Sequence, residues 1–160
     1  MRRVLSLTIA GFVVLLASAA QAQAQTINFT AQLHGGNELP PVVTGSAGTA
    51  TISLNTATSV ITYRVDVFNM PVGTTAGHFH VGAAGVAGPT VINFTIPANI
   101  SNDFAVVGTA SATDLNVRAA QGINSWEDLI QALVLGNLYV NIHSTANPGG
   151  EIRGQVTRVP

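Results

Sequence analysis

The chain has 160 residues, six cationic against seven acidic side chains, and a formal net charge of −1. It contains neither lysine nor cysteine. That excludes the basic patch of a nucleic-acid binder, disulfide staples, and thiolate nucleophiles or metal–thiolate sites.

The first two dozen residues have the organisation of a secretory signal peptide. Met1-Arg2-Arg3 is a short basic start, and Val4 to Ala17 is apolar apart from Ser6 and Thr8. This core falls short of the roughly 20 apolar residues that span a bilayer. Small residues follow, and an Ala-x-Ala cleavage fits after Ala22 or Ala24. The expected division is a bacterial-type leader over 1–24 and a single domain over 25–160, secreted or periplasmic, with no transmembrane segment in the mature chain. Without Arg2 and Arg3, four arginines face seven acids, a formal charge of −3.

From Ile27 onward the hydrophobic period is two. Ile27, Phe29, Ala31 and Leu33 alternate with Asn28, Thr30 and Gln32. His34 to Asn37 breaks that run, and Pro40-Pro41 cannot sit in a central strand. Further strands are predicted over Thr49–Leu54, Ser59–Phe68, Gly77–Val81, Thr90–Ile96 and Asp103–Ala112, the last weakened by Gly108. Gly82 to Pro89 is a glycine-rich loop.

One region has helical spacing instead. Leu129, Ile130, Leu133 and Val134 follow Ser125, a good N-cap, with Glu127 and Asp128 in the first turn, where the helix dipole favours acids. Gly136 is placed to end it. The chain then closes with a hairpin: Leu138, Val140 and Ile142 face the core, and Tyr139, Asn141 and His143 face away. Ser144 to Gly150 is rich in turn residues. Pairing about the loop centre sets His143 opposite Glu151 and Asn141 opposite Arg153, all four on one face.

Four histidines stand out in a chain with only 8% charged residues. His78-Phe79-His80 is the sharpest feature. On a strand, residues i and i+2 share a face about 6.6 Å apart, so both imidazoles can lean toward one ion while Phe79 enters the core. Such a pair supplies two ligands of a zinc or copper site. His143 and Glu151 are the candidate partners, with Glu38, in its rigid loop, as a further one. Glu151 could equally pair with Arg153 or Arg64, and His34 reads as an exposed loop histidine. The glycine-rich loop lacks the Lys-Ser or Lys-Thr of a phosphate-binding loop, and no nucleophile elbow is present.

Three blocks together resemble the CHRD domain family, named for repeats in chordin and widespread in bacterial secreted proteins. They are Leu33-His34-Gly35-Gly36-Asn37-Glu38-Leu39-Pro40-Pro41; His78-Phe79-His80-Val81-Gly82 with Gly85 and Gly88-Pro89; and Tyr139-Val140-Asn141-Ile142-His143 with Pro148 to Gln155. Their order and spacing span nearly the whole mature chain; His34 departs from the small polar residue expected there. The resemblance implies a compact β-sandwich module whose role in bacteria is largely unassigned. A fainter similarity is to copper–zinc superoxide dismutases, but the cysteine pair and the additional bridging and zinc histidines are missing. The expected fold is therefore all-β with one short helical insertion: an antiparallel Greek-key β-sandwich, immunoglobulin-like or superoxide-dismutase-like.

Two functional expectations follow. The first is a non-catalytic binding module whose polar cluster, His78, His80, His143 and Glu151, holds a divalent ion such as Cu or Zn. The second is a module that contacts a protein or envelope component, its His, Glu and Arg residues forming a structural polar network. An open-site ion could also activate water, but nothing in the sequence names a substrate.

Overall fold

The computed structural model describes residues 25–71, 73–97 and 102–160, so the leader assigned to 1–24 lies outside the described residues. The period-two segments become strands β1 (Thr26–His34), β2 (Ala47–Asn55), β3 (Val60–Phe68), β4 (Thr74–Val81), β5 (Thr90–Asn93), β6 (Phe104–Ala110), β7 (Leu138–Ser144) and β8 (Ile152–Gln155). A short β9 (Thr157–Arg158) follows, beyond the predicted elements. The helical pattern forms α1 (Trp126–Val134). Ser125 caps it through Oγ, which accepts from the Asp128 N–H, while the Asp128 carboxylate accepts from the Ser125 N–H in return.

The all-β expectation with one short helix describes the molecule, and every strand pairing is antiparallel. The strands form one continuous path, β5-β4-β7-β8-β1-β2-β3-β6, with β9 also pairing β1. The turn between its halves lies at β8–β1, where the ladder shrinks to the single pair His34↔Arg153. Past the buried Val156, β9 takes up pairing with the middle of β1. The path folds over so that its halves face each other. Tyr63 of β3 lies 5.5 Å, centroid to centroid, from Phe79 of β4, and stacks at 4.5 Å on Phe94 just beyond β5.

Between the halves lies the core of Phe29, Leu33, Ile52, Ile61, Val65, Phe79, Val140, Ile142 and Ile152, each essentially inaccessible. Burial of one such side chain contributes about 1.5–3 kcal/mol. Gly108 does not interrupt its strand. It pairs with Tyr63, whose ring occupies the space a side chain at 108 would need.

The two halves treat their outer faces differently. Strand β3 alternates between buried and more accessible residues, as a one-sided strand should. Strand β7 is buried at every position. The face of Tyr139, Asn141 and His143, expected to point away from the core, is thus covered too. Arg153 and Glu151, also expected off the core, are 3% and 2% exposed. Loops at 35–42, 82–89 and 145–150 supply groups that bond to this face.

Candidate metal centre

Strand phasing builds the site. His78 and His80 lie two apart on β4, so both project to the outer face while Phe79 enters the core. Across the ladder His78 pairs with Asn141, His80 with Tyr139, and Ala76 with His143. The three imidazoles therefore meet on one face. Ring centroids are 4.9 Å apart for His78–His143, 5.4 Å for His78–His80 and 6.1 Å for His80–His143. One ring nitrogen from each lies within 4.8 Å of the other two. A tetrahedral ion with bonds of about 2.1 Å needs ligand nitrogens about 3.4 Å apart, within reach of small ring rotations.

Backbone carbonyls select the tautomers. A carbonyl can only accept, so His80 Nδ1–H donates to Gly88 O at 2.9 Å and His143 Nδ1–H to Pro148 O at 2.9 Å. Both Nε2 atoms are left with lone pairs. His78 Nδ1 lies 3.0 Å from His143 Nε2 and donates to it. Anchoring one ring nitrogen to a carbonyl while freeing the other is how proteins orient metal-ligating histidines. The rings are also kept neutral. Burial, then the neighbouring His143 and His80, pull His78 down to about 4. Burial likewise pulls His80 to about 4 against its bond to Gly88, and lowers His143. At neutral pH the rings carry no second proton, and an ion would have to displace the His78 N–H from His143 Nε2 and the Thr90 hydroxyl, 3.4 Å away, from His80 Nε2.

Aromatic and cationic groups wall the site. The Tyr139 ring stacks on His80 at 4.8 Å and 11°, and the Arg153 guanidinium sits 3.5 Å over the Tyr139 ring centroid. Tyr139 Oη donates to Gly88 O, the carbonyl that orients His80, and accepts from Gly88 N–H, both at 3.0 Å. Arg153 Nη2 donates to Val86 O at 2.7 Å, tying the 82–89 loop down.

Of the two acids expected near the histidines, Glu151 lies on another face and Glu38 meets theirs only through Asn141. The β7–β8 ladder has the expected register through Asn141↔Arg153, but its last pair is Ile142↔Ile152. Glu151 precedes the strand and turns to the side of Ser144, opposite His143. Its carboxylate accepts from Ser144 Oγ at 2.8 Å, Ser46 Oγ at 3.4 Å and Asn147 Nδ2. Burial raises its pKa, but hydrogen bonds from Thr44, Asn147, Ser144 and Ser46 outweigh that and hold it below the ordinary value. Glu151 is a buried structural anion pinning the last hairpin to the segment before β2. Glu38 reaches the face of the histidines but bonds Asn141, whose Nδ2 donates to both carboxylate oxygens at 3.0 and 3.1 Å. Burial pushes its pKa up to about 7, against the Asn141 bond and the Arg153 charge. His34 is exposed as expected, but it is the last residue of β1, paired with Arg153 on one side and Ala47 on the other, and not a loop residue.

Sequence reasoning passed over Asn141 and Tyr139 as site residues, although both alternate in phase with His143 on β7. The carbonyls of Gly88 and Pro148 carry no residue-type signal at all.

No curated protein and no solved structure matches the chain. A family model does: the CHRD domain, over residues 29–156. That span takes in every block that suggested the resemblance, together with all three histidines. The chain belongs to the CHRD domain family.

Proposed function

We propose that this domain is an exported, non-catalytic module, secreted or periplasmic, that holds one divalent first-row ion, Cu(II) or Zn(II), on His78, His80 and His143. The observation that carries the reading is the convergence of three neutral imidazoles, two of them oriented by backbone carbonyls, in a domain without disulfides. Imidazole is borderline-soft and suits copper and zinc above calcium or magnesium. The ion joins β4 to β7 across the covered face and supplies a cross-link that cysteine cannot.

The second reading, a contact module for a protein or envelope component built on a structural polar network, is favoured by Glu151. Its four donors explain its burial without any ion. The two readings divide the polar residues between them: Glu151 belongs to the network, the histidines to the ion.

The test is metal analysis of the protein expressed with residues 1–24 intact and recovered after export. The expected result is one copper or zinc per chain, lost in His80→Ala, with a higher melting temperature when the ion is added. Substoichiometric metal and an unmoved melting temperature overturn the metal reading. Recovery of the protein solely from the cytoplasm overturns export.

A further inference from the structure

Three imidazoles leave a first-row ion one position short of tetrahedral coordination. We infer that Asn141 governs this fourth position: its Oδ1 accepts a hydrogen bond from a water bound to the ion. The inference rests on the metal reading above and assigns a positioning residue to that site.

Four observations converge on Asn141. It pairs directly with His78 across the β4–β7 ladder and stands two residues before His143, so it shares the face of all three histidines. Directly opposed residues on one face have Cβ atoms only about 4.5–5.5 Å apart. Its orientation follows from the contact itself: both Glu38 oxygens accept from Asn141 Nδ2, as those of an ionised carboxylate do. Oδ1 must then be the free end of the amide. It is also the one buried side-chain polar atom without a partner among the described residues. A buried amide oxygen left unpaired is costly, and a water polarised by a cation is a strong donor to satisfy it.

The pair is built into the fold. Gly150 has φ of +142°, and a Cβ there would lie 2.6 Å from both Glu38 oxygens and from Asn141 Nδ2. The absent side chain is what lets the Glu38 carboxylate reach the amide. The chemical class of ligand at the fourth position is thus a hydrogen-bond donor, water, and not an acceptor such as a carboxylate.

The experiment uses the exported protein loaded with Cu(II) and reads two quantities: copper affinity by competition with a chelator, and azide affinity from the azide-to-copper charge-transfer band. Azide displaces the bound water, so losing the water's acceptor should favour azide. In Asn141→Leu the expected copper affinity falls about ten-fold, the lower range for outer-sphere partners, while azide binds about three-fold tighter. A merely structural Asn141 lowers the melting temperature of the metal-free protein and leaves azide affinity unchanged; that result overturns the inference while the metal centre stands. If Asn141→Leu does not fold, Glu38→Gln decides. A Gln amide both donates and accepts, so it no longer holds Oδ1 at the free end, and azide affinity should rise by about two-fold. No change in that variant overturns the inference. Wild-type protein that takes up no copper overturns the inference, and one that takes up neither copper nor zinc overturns the metal reading as well.

Discussion

The meander β1–β2–β3 and the layer β4–β7–β8 are built from the same period-two grammar and end in different states. In the meander one face enters the core and the other stays accessible, lined by Thr30, Thr51, Thr62 and Arg64. In the second layer the outer face of β7 and β8 is covered as well, with His78 and His80 of β4 half-buried beside it. The inner one is apolar, with Phe79, Val140, Ile142 and Ile152; the outer one holds histidines, Asn141, Tyr139 and Arg153. The buried charged residues Glu38, Glu151 and Arg153 all cluster around this layer. The difference teaches that a polar strand face is no signal of exposure. Loops rich in glycine and proline can lie over it and satisfy its polar groups with backbone carbonyls.

Phe79→Ala should break the layer outright, because that ring packs edge-on against both Tyr63 and Phe94. A loss of about 3–5 kcal/mol is expected from denaturant unfolding, the usual range for removing a buried phenylalanine. A loss under 1 kcal/mol would mean that the inner face does not hold the two halves together.

The outer face should announce itself through pH. For His78 and His80 the folded pKa of about 4 lies below the ordinary 6.5, so the folded state binds fewer protons than the unfolded one. Their contribution is present above pH 6.5 and is lost as pH falls toward 4. Glu38 works the other way. With a folded pKa of about 7 against 4.5, its contribution is present below pH 4.5 and lost as pH rises through 7. In the metal-free protein, Glu38→Gln should therefore gain stability relative to wild type between pH 5 and pH 8. The gain should be about 1–2 kcal/mol once solvent screening is allowed for. Melting temperatures across that range check the sign, and parallel curves for the two proteins would remove Glu38 from the buried network. A steeper acid loss in wild type than in His80→Phe would mark the histidine limb.

Smallest of all should be Thr51→Val on the meander's open face. Thr51 is exposed between Thr30 and Arg64 in the ladders. A change within about 0.5 kcal/mol is expected. A larger one, read by the same denaturant unfolding, would show that the two outer faces are less different than their burial implies.

Most elements were legible because their signals are local. Alternation over Ile27–Leu33 and Ser59–Phe68 needs only the pleat, and Ser125 with Asp128 needs only the first turn of a helix. His78, Phe79 and His80 divided between faces as strand phasing dictates. The register of Asn141 with Arg153 followed from hairpin symmetry. Glu151 did not follow the same symmetry, because the ladder stops at Ile152 and four hydrogen-bond donors lie on the other side. Glu38 was legible as a rigid-loop acid but not as the partner of Asn141, which lies 103 residues away.

The sequence by itself determined the strand-rich class, the single capped helix, the membership signalled by three separated blocks, and which histidines share a face. Those properties depend on periodicity and on neighbours within a few residues. Only the tertiary structure decided that β7 and β8 are buried on both faces, that His143 completes a cluster with His78 and His80, and that Glu151 leaves it. Those outcomes depend on which loop folds over which strand, and on where each buried charge finds donors across long stretches of chain.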